Sequence, residues 1–324
     1  MLCVLEIRPD YKANRRKSAS LPSLYDCVAI DMYASEKKIP HIARCVDIPI
    51  NSLTEDDLND DYLPASLIIN CMIPSYPLEN MVWGRNKEDG VGYSLVFYYV
   101  LSSDSRRQLQ QRRERIKSAK PAQRYVSPAP SQPNSARGSL GEGEELSRAQ
   151  THPDDDADDY GDGKNDDENE YDDNDIDLSP ALRLMHRFVK EEDIVPATAL
   201  RQRFKAITRI VNLESVNCNA ASKKLVQSYN GTPFLIKTTS RFYHGPHYFE
   251  CDVDVHRFSY LARVGLAGVR ETLKSVVFDF AFVIEGHSDS ELPEQILSAA
   301  RLSKVDMNSA TKFPSDCMEA MENE

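Results

Sequence analysis

The stretch from His244 to His256, HGPHYFECDVDVH, places three histidines, a cysteine and three carboxylates within thirteen residues. Side chains of these types hold zinc or calcium when they converge with spare negative charge. Paired carboxylates can also carry acid and base chemistry. Whether they converge depends on the element that carries them. Apolar and β-branched residues flank the turn signal Gly245-Pro246, which predicts a hairpin of strands 234–243 and 248–255. Closed about Gly245-Pro246, that hairpin pairs residues whose numbers sum to 491. One face then holds Phe242 with Phe249, Ser240 with Cys251, Thr238 with Val253 and Ile236 with Val255. The other holds Tyr243 with Tyr248, Arg241 with Glu250, Thr239 with Asp252 and Lys237 with Asp254. Cross-strand neighbours interact directly, so Cys251 is expected in the core and Glu250 and Asp254 in ion pairs. Asp252 and His256 alone are too few ligands for a metal centre, so neither a metal nor a cofactor is expected. No GxSxG nucleophile elbow and no glycine-rich phosphate loop occurs. A hydrolase using Asp252, Asp279 or Glu285 ranks as the third reading of the chain.

Only part of the 324 residues can build the core that positions such a strand. The segment 103–179 is poor in aliphatic residues and rich in Ser, Pro, Gln, Asp and Glu, so it is expected to be a disordered insertion. It is polarised. SRRQLQQRRERIKSAKPAQR carries eight Arg and Lys against one Glu, and DDDADDYGDGKNDDENEYDDNDID is nearly all acidic, contributing to a net charge of -12. Cysteines at 3, 27, 45, 71, 218, 251 and 317 contain no CxxC and are odd in number, which argues against a disulfide framework and a zinc module. No window reaches the ~18 to 20 apolar residues of a membrane span, and the opening MLCVLEIRPD lacks a signal-peptide pattern. The expected location is cytoplasmic, with peripheral membrane association as the nearest approach to a bilayer. Asn230-Gly231-Thr232 reads as a turn.

The remaining elements follow from periodicity. Strands are predicted over Tyr25 to Met32, Ser66 to Ile73, Ser94 to Leu101 and Ser275 to Ile284, and helices over Ala181 to Val189 and Ala199 to Val211. In the second of these helices, Leu200, Phe204, Ile207 and Val211 recur at helical spacing. A further helix is predicted over Glu291 to Ser303, with acids and Pro293 in its first turn and Arg301 near its end.

Taken in order, several stretches resemble one family. YFECDVDV and SVVFDFAFVIEGHSDSELPEQILSAARLSKVD are similar to the plant Enhanced Disease Resistance 2 C-terminal domain, a domain without an assigned reaction. The motif residues are Tyr248, Glu250, Asp252, Asp254, Asp279, Phe282, Glu285, Gly286, Glu291, Leu292, Pro293, Glu294, Leu297, Arg301 and Asp306. RFKAITRIVN, SLYDCVAIDMYASEKKIPHIA, SLIINCMIPSY and YSLVFYYVL extend the resemblance over roughly 6 to 102 and 180 to 306. His247, Cys251 and His256 depart from the family pattern, the Gly-Pro-Trp expected after RIV is replaced by LESVN, and only Gly265 and Gly268 survive of a glycine-rich helix. The plant proteins carry pleckstrin-homology and START-type domains ahead of this one, and neither is read in these residues.

The resemblance implies a non-enzymatic lipid-binding or membrane-associated regulatory module. A predicted helix from Ser259 to Lys274 adds a physical hint: Arg263, Arg270 and Lys274 form a stripe that could meet anionic lipid, beside Ala262, Leu266, Val269 and Leu273. The alternative is a protein-interaction scaffold regulated through the insertion. Nucleic acid is an unexpected partner, because the acidic run can neutralise the basic one. Ser18, in Arg15-Arg16-Lys17-Ser18, and Ser127, before Pro128, are candidate phosphosites. The expected fold class is α+β: an antiparallel sheet packed by several amphipathic helices. Its first half is 1–102, the insertion 103–179, the second half 180–307 and a flexible tail 308–324.

Overall fold

The apolar runs read as strands lie at the centre of the fold. In a computed structural model, the described residues are 5–6, 18–76, 88–118, 175–191, 200–217, 220–236, 238–270 and 272–322. Strands β1 (Leu5–Glu6) and β2 (Ser18–Ala19) pair only with each other. The main sheet is built from β3 (Tyr25–Ser35), β4 (Ser66–Pro74), β5 (Gly92–Leu101), β6 (Phe204–Ile210), β7 (Phe234–Leu235), β8 (Ser240–Gly245), β9 (Tyr248–Asp254), β10 (Val277–Ile284), β11 (Ser298–Ser303) and β12 (Thr311–Lys312). Its order is β7-β6-β10-β11-β3-β5-β4-β9-β8, with β12 beside β3. The helices are α1 (Glu55–Leu58), α2 (Ser103–Ser118), α3 (Pro180–Lys190), α4 (Ala220–Tyr229), α5 (Tyr260–Arg270) and α6 (Ser315–Glu322).

The sheet is mixed, not antiparallel as expected. β4 pairs with β9, and β3 with β11 and β12, in parallel. Each parallel pair joins the first half of the sequence to the second, and parallel neighbours need long connections. The long chain between the halves provides them.

The sheet also curls. Phe204 of β6 and Phe242 of β8, near opposite ends of the strand order, stand 6.0 Å apart between ring centroids. Helix α3 fills the space inside. Ser179 caps it by accepting from the Leu182 N–H, Pro180 opens it where no N–H is required, and Leu182, Met185 and Phe188 are buried. Phe188 touches Phe204, Phe242 and Phe249, so one side chain joins both ends of the sheet.

The outer face is covered as well. Ile68, Val96 and Tyr98 pack there with Ile39 and Ile42 from the segment after β3, with Phe313, and with Cys317, Met318 and Met321 of α6. The tail read as flexible is therefore seated: β12 extends the sheet at β3, and Phe313 is buried.

Three further readings change. Residues 204–210 are strand β6, not helix, because Phe204 and Ala206 pack inward while Ile207 packs with Ala281, Val283 and Ile296 on the other face. Residues 298–303 are strand β11, with Ser298, Ala300 and Leu302 buried in alternation. The span read as disordered begins with helix α2, held by buried Leu109. Its basic residues are engaged: Arg112 meets Asp175 at 2.7 Å, Arg113 pairs with Asp60, and Arg115 with Asp177. Two of these pairs join the basic run to the end of the acidic run. Residues 119–174, including Ser127, lie outside the described residues. Ser18 falls in β2.

Candidate functional site

The stretch that opened the sequence forms β8, a turn and β9. Gly245 pairs with Tyr248, leaving Pro246 and His247 as a two-residue loop, with Pro at the first position and φ of 67° at His247. A positive φ there after proline is the backbone of a type II turn. The turn centre moves by one residue, so paired numbers sum to 493 and every expected partner is displaced by two. The faces are unchanged: Cys251 is in the core.

The charged face differs more. Glu250 and Asp252 are 0 % and 1 % exposed. Among the described residues, Glu250 does not form the ion pair expected with Arg241 on an open face. Instead, Glu250 accepts the Ile42 and Ala43 N–H groups at 2.8 and 3.1 Å. Asp252 accepts the His41 N–H at 2.9 Å and the Asn70 side-chain amide at 2.8 Å. Asp254 pairs with Lys38 at 2.8 Å, and Lys237 lies outside the described residues. His41 has φ of 51°, and this left-handed residue turns three successive N–H groups toward the carboxylates, the nest geometry that holds anions. Burial and the neighbouring Asp252 push the Glu250 carboxyl well above the usual range, and burial raises Asp252 too. Of the two, Glu250 is the one that holds its proton to higher pH.

The other motif residues are also structural anchors. Asp279, fully buried, accepts from Arg209 and from Arg301, whose closest approaches are both 2.6 Å, and these bonds hold its carboxyl below its ordinary value against the cost of burial. Glu285 pairs with Lys205 at 2.9 Å. The Gly286 N–H donates to Glu294 at 3.1 Å, and Leu292-Pro293 is a cis peptide. Tyr248 is buried, with its hydroxyl 3.0 Å from His41 Nε2. Among the described residues, no group of three or more His, Cys, Asp or Glu is placed to hold a metal ion.

A recess suited to a ligand lies on the inner face, under α5. It is a cavity of about 100 Å³ between the helix and strands β3, β4, β5, β10 and β11, lined by Met32, Ile73, Leu95, Leu266, Phe280 and Leu302 among others. Its polar boundary is built from both halves of the sequence. The Asp254 carboxylate accepts the His256 N–H at 3.1 Å, turning the chain after β9 so that His256 Nδ1 lies 2.9 Å from the Tyr76 hydroxyl. Nearby, Gly92 permits the close packing of β5 on β4, because a Cβ there would stand 2.4 Å from the Ile73 carbonyl oxygen. Burial pushes His256 down to about 4, so the ring is neutral at pH 7. Arg263 and Arg270 line the same cavity.

The stripe expected on this helix is therefore divided. Arg263 is 5 % exposed rather than solvent-facing. Arg270 is exposed and donates to the Ser75 carbonyl at 3.1 Å. Lys274 lies beyond the end of α5 and pairs with Asp306 at 2.9 Å. Sequence reasoning missed Tyr76, which lies just after β4 in no repeating pattern, and missed the apolar lining, which reads as ordinary core.

A family model described as Protein ENHANCED DISEASE RESISTANCE 2, C-terminal, matches residues 3–306. A curated relative from Arabidopsis thaliana, Protein ENHANCED DISEASE RESISTANCE 2-like, is 35 % identical over 86 residues, which is 26 % of this chain and 12 % of the relative. No solved structure matches. Among the described residues, no helix is long and apolar enough to cross a membrane.

Proposed function

We propose that this chain, which belongs to the Enhanced Disease Resistance 2 C-terminal family, is a non-enzymatic lipid-binding regulatory module that takes the apolar chain of a lipid into the cavity under α5. The observation that carries this reading is the cavity itself: about 100 Å³ of space walled by aliphatic and aromatic side chains from five strands and a helix. Apolar cavities of about 150 Å³ take up benzene, so this one is sized for part of an acyl chain. Binding sites of this kind are mostly apolar, with a few polar groups that fix orientation.

The non-enzymatic half of the proposal rests on how the candidate carboxylates are engaged. Asp252 is enclosed with Glu250 under the segment 41–43, Asp279 is held by two guanidinium groups, and Glu285 by Lys205. A general base needs to reach a substrate proton. None of the three faces the cavity lining.

Titration with cis-parinaric acid, a fluorescent fatty acid, tests the reading. The expected result is saturable binding at one site that Leu266→Trp abolishes by filling the cavity, while the variant keeps a cooperative melt. No saturable binding to the unsubstituted chain, or equal binding by a folded Leu266→Trp variant, would overturn it.

A further inference from the structure

Two cysteines from opposite ends of the sequence meet on the outer face of the sheet. Cys45 closes the 3-10 turn Ile42–Arg44, its backbone N–H donating to the Ile42 carbonyl at 2.9 Å. Cys317 lies in the first turn of α6. Their thiols hydrogen-bond each other, and both side chains pack against the cluster that holds Ile39, Ile42, Ile68, Val96 and Phe313. Thiols in contact give the short sulfur–sulfur approach that a disulfide requires.

The elements that carry the pair are fixed on both sides. β12 lies beside β3, the Phe313 N–H donates to the Ala34 carbonyl at 3.0 Å, and the Phe313 ring meets Tyr33 edge-on at 5.6 Å. These contacts deliver α6 to the segment after β3, whose residues 41–43 cover Glu250 and Asp252. The other described cysteines are placed differently: Cys71 and Cys251 are buried, and the Cys27 thiol donates to the Ala29 carbonyl at 3.8 Å. Cys45 and Cys317 are each half-buried, which leaves an oxidant access to them. Burial and the neighbouring Cys317 push the Cys45 thiol up to about 11. Its thiolate is thus a poor leaving group, and a bond made there is opened slowly by attack on the Cys317 sulfur.

We propose that Cys45 and Cys317 form a reversible disulfide that locks α6 onto the outer face of the sheet, with a low-molecular-weight disulfide such as oxidised glutathione as the oxidant. One cysteine, as its thiolate, attacks the glutathione disulfide and one glutathione leaves. The second thiolate attacks the resulting mixed disulfide and releases the other glutathione. Two protein thiols thereby give up two electrons and two protons, and one glutathione disulfide is reduced to two thiols. A single closable pair is distinct from the disulfide framework that the scattered cysteines argue against, and it is independent of lipid uptake under α5.

The test holds the full chain in glutathione buffers of increasing oxidised fraction, blocks the remaining thiols with iodoacetamide and digests with glutamyl endopeptidase before mass spectrometry. Glu55 separates Cys45 from Cys71, so the two fall in different peptides. The expected result is a cross-link between peptides 37–55 and 295–319, reversed by dithiothreitol and lost in Cys45→Ser and in Cys317→Ser. The oxidised chain should melt roughly 4 °C or more above the reduced one, and the backbone amides of 315–322 should exchange more slowly. Cys45→Ser should show neither change. Absence of the cross-link throughout the series, or its appearance only after unfolding in urea, would overturn the pairing. A cross-linked chain whose melt and α6 exchange match those of the reduced chain would overturn the lock.

Discussion

Two carboxylates side by side in a dry site cannot both be charged at moderate cost, and Glu250 with Asp252 solves this by keeping the Glu250 proton while four N–H donors hold the pair in place. The consequence is a pH dependence of definite sign. In the unfolded chain both groups ionise near their ordinary values; in the fold Glu250 keeps its proton to higher pH. Between those two pH values the folded state binds more protons, so stability falls as pH rises. His256 acts in the opposite sense below about 6.5: its folded value is pushed down to about 4, so acid protonates the unfolded chain first and stability falls as pH drops. Above pH 7 His256 no longer contributes. Urea midpoints are therefore expected to decline from pH 7 to pH 9, and Glu250→Gln to flatten that decline. An unchanged slope in the variant would show that the pair is not the titrating unit.

Helix α2 shows how charge can conceal an element. SDSRRQLQQRRERIKS is so polar that its composition reads as disorder, yet its partners are built into the domain: Ser105 donates to the Leu24 carbonyl at 2.8 Å, Leu109 is 1 % exposed, and the arginines find Asp60, Asp175 and Asp177. A single buried leucine is its apolar anchor. Leu109→Ala is expected to cost about 2 to 5 kcal/mol in a denaturant melt, the range for deleting a buried leucine side chain, and a loss below about 0.5 kcal/mol would mean that the helix is not integral. Elsewhere the legible elements were those with strong patterns: β3, β4, β5 and β10 were placed within a few residues, as was α3. The failures have physical causes. β6 is buried on both faces, which erases the alternation of a strand and lets Phe204 and Ile207 mimic a helical stripe. β11 is centred on Ala299, Ala300, Arg301 and Leu302, residues whose intrinsic preference favours helix, and tertiary pairing with β10 overrides it. In the site, Arg263 and Arg270 were legible as a basic pair, whereas Tyr76 and the cavity exist only once α5 is laid across the sheet.

At the scale of the whole molecule, the curl of the sheet depends on few contacts. Phe188 touches rings from β6, β8 and β9, so Phe188→Ala removes packing from both ends of the sheet at once. The expected loss is about 3 to 5 kcal/mol. Phe258→Ala offers the comparison: its ring meets Phe234 at 6.1 Å and packs at the margin of the core, so it should cost less. Equal losses in thermal or urea melts would count against the role given to Phe188.

The parallel pairing of β4 with β9 has a consequence during synthesis. Ser66–Pro74, with Leu67, Ile68, Ile69 and Cys71 buried in the finished fold, is made long before Tyr248–Asp254, its partner on one edge. At about 5 to 20 residues per second, roughly 10 to 35 seconds separate the two strands at the ribosome. For that interval β3, β4 and β5 can pair with β5 between the other two, but the far edge of β4 has backbone groups with no partner and an apolar sequence that invites other chains. The nascent protein must be shielded through a stage that the folded molecule no longer displays.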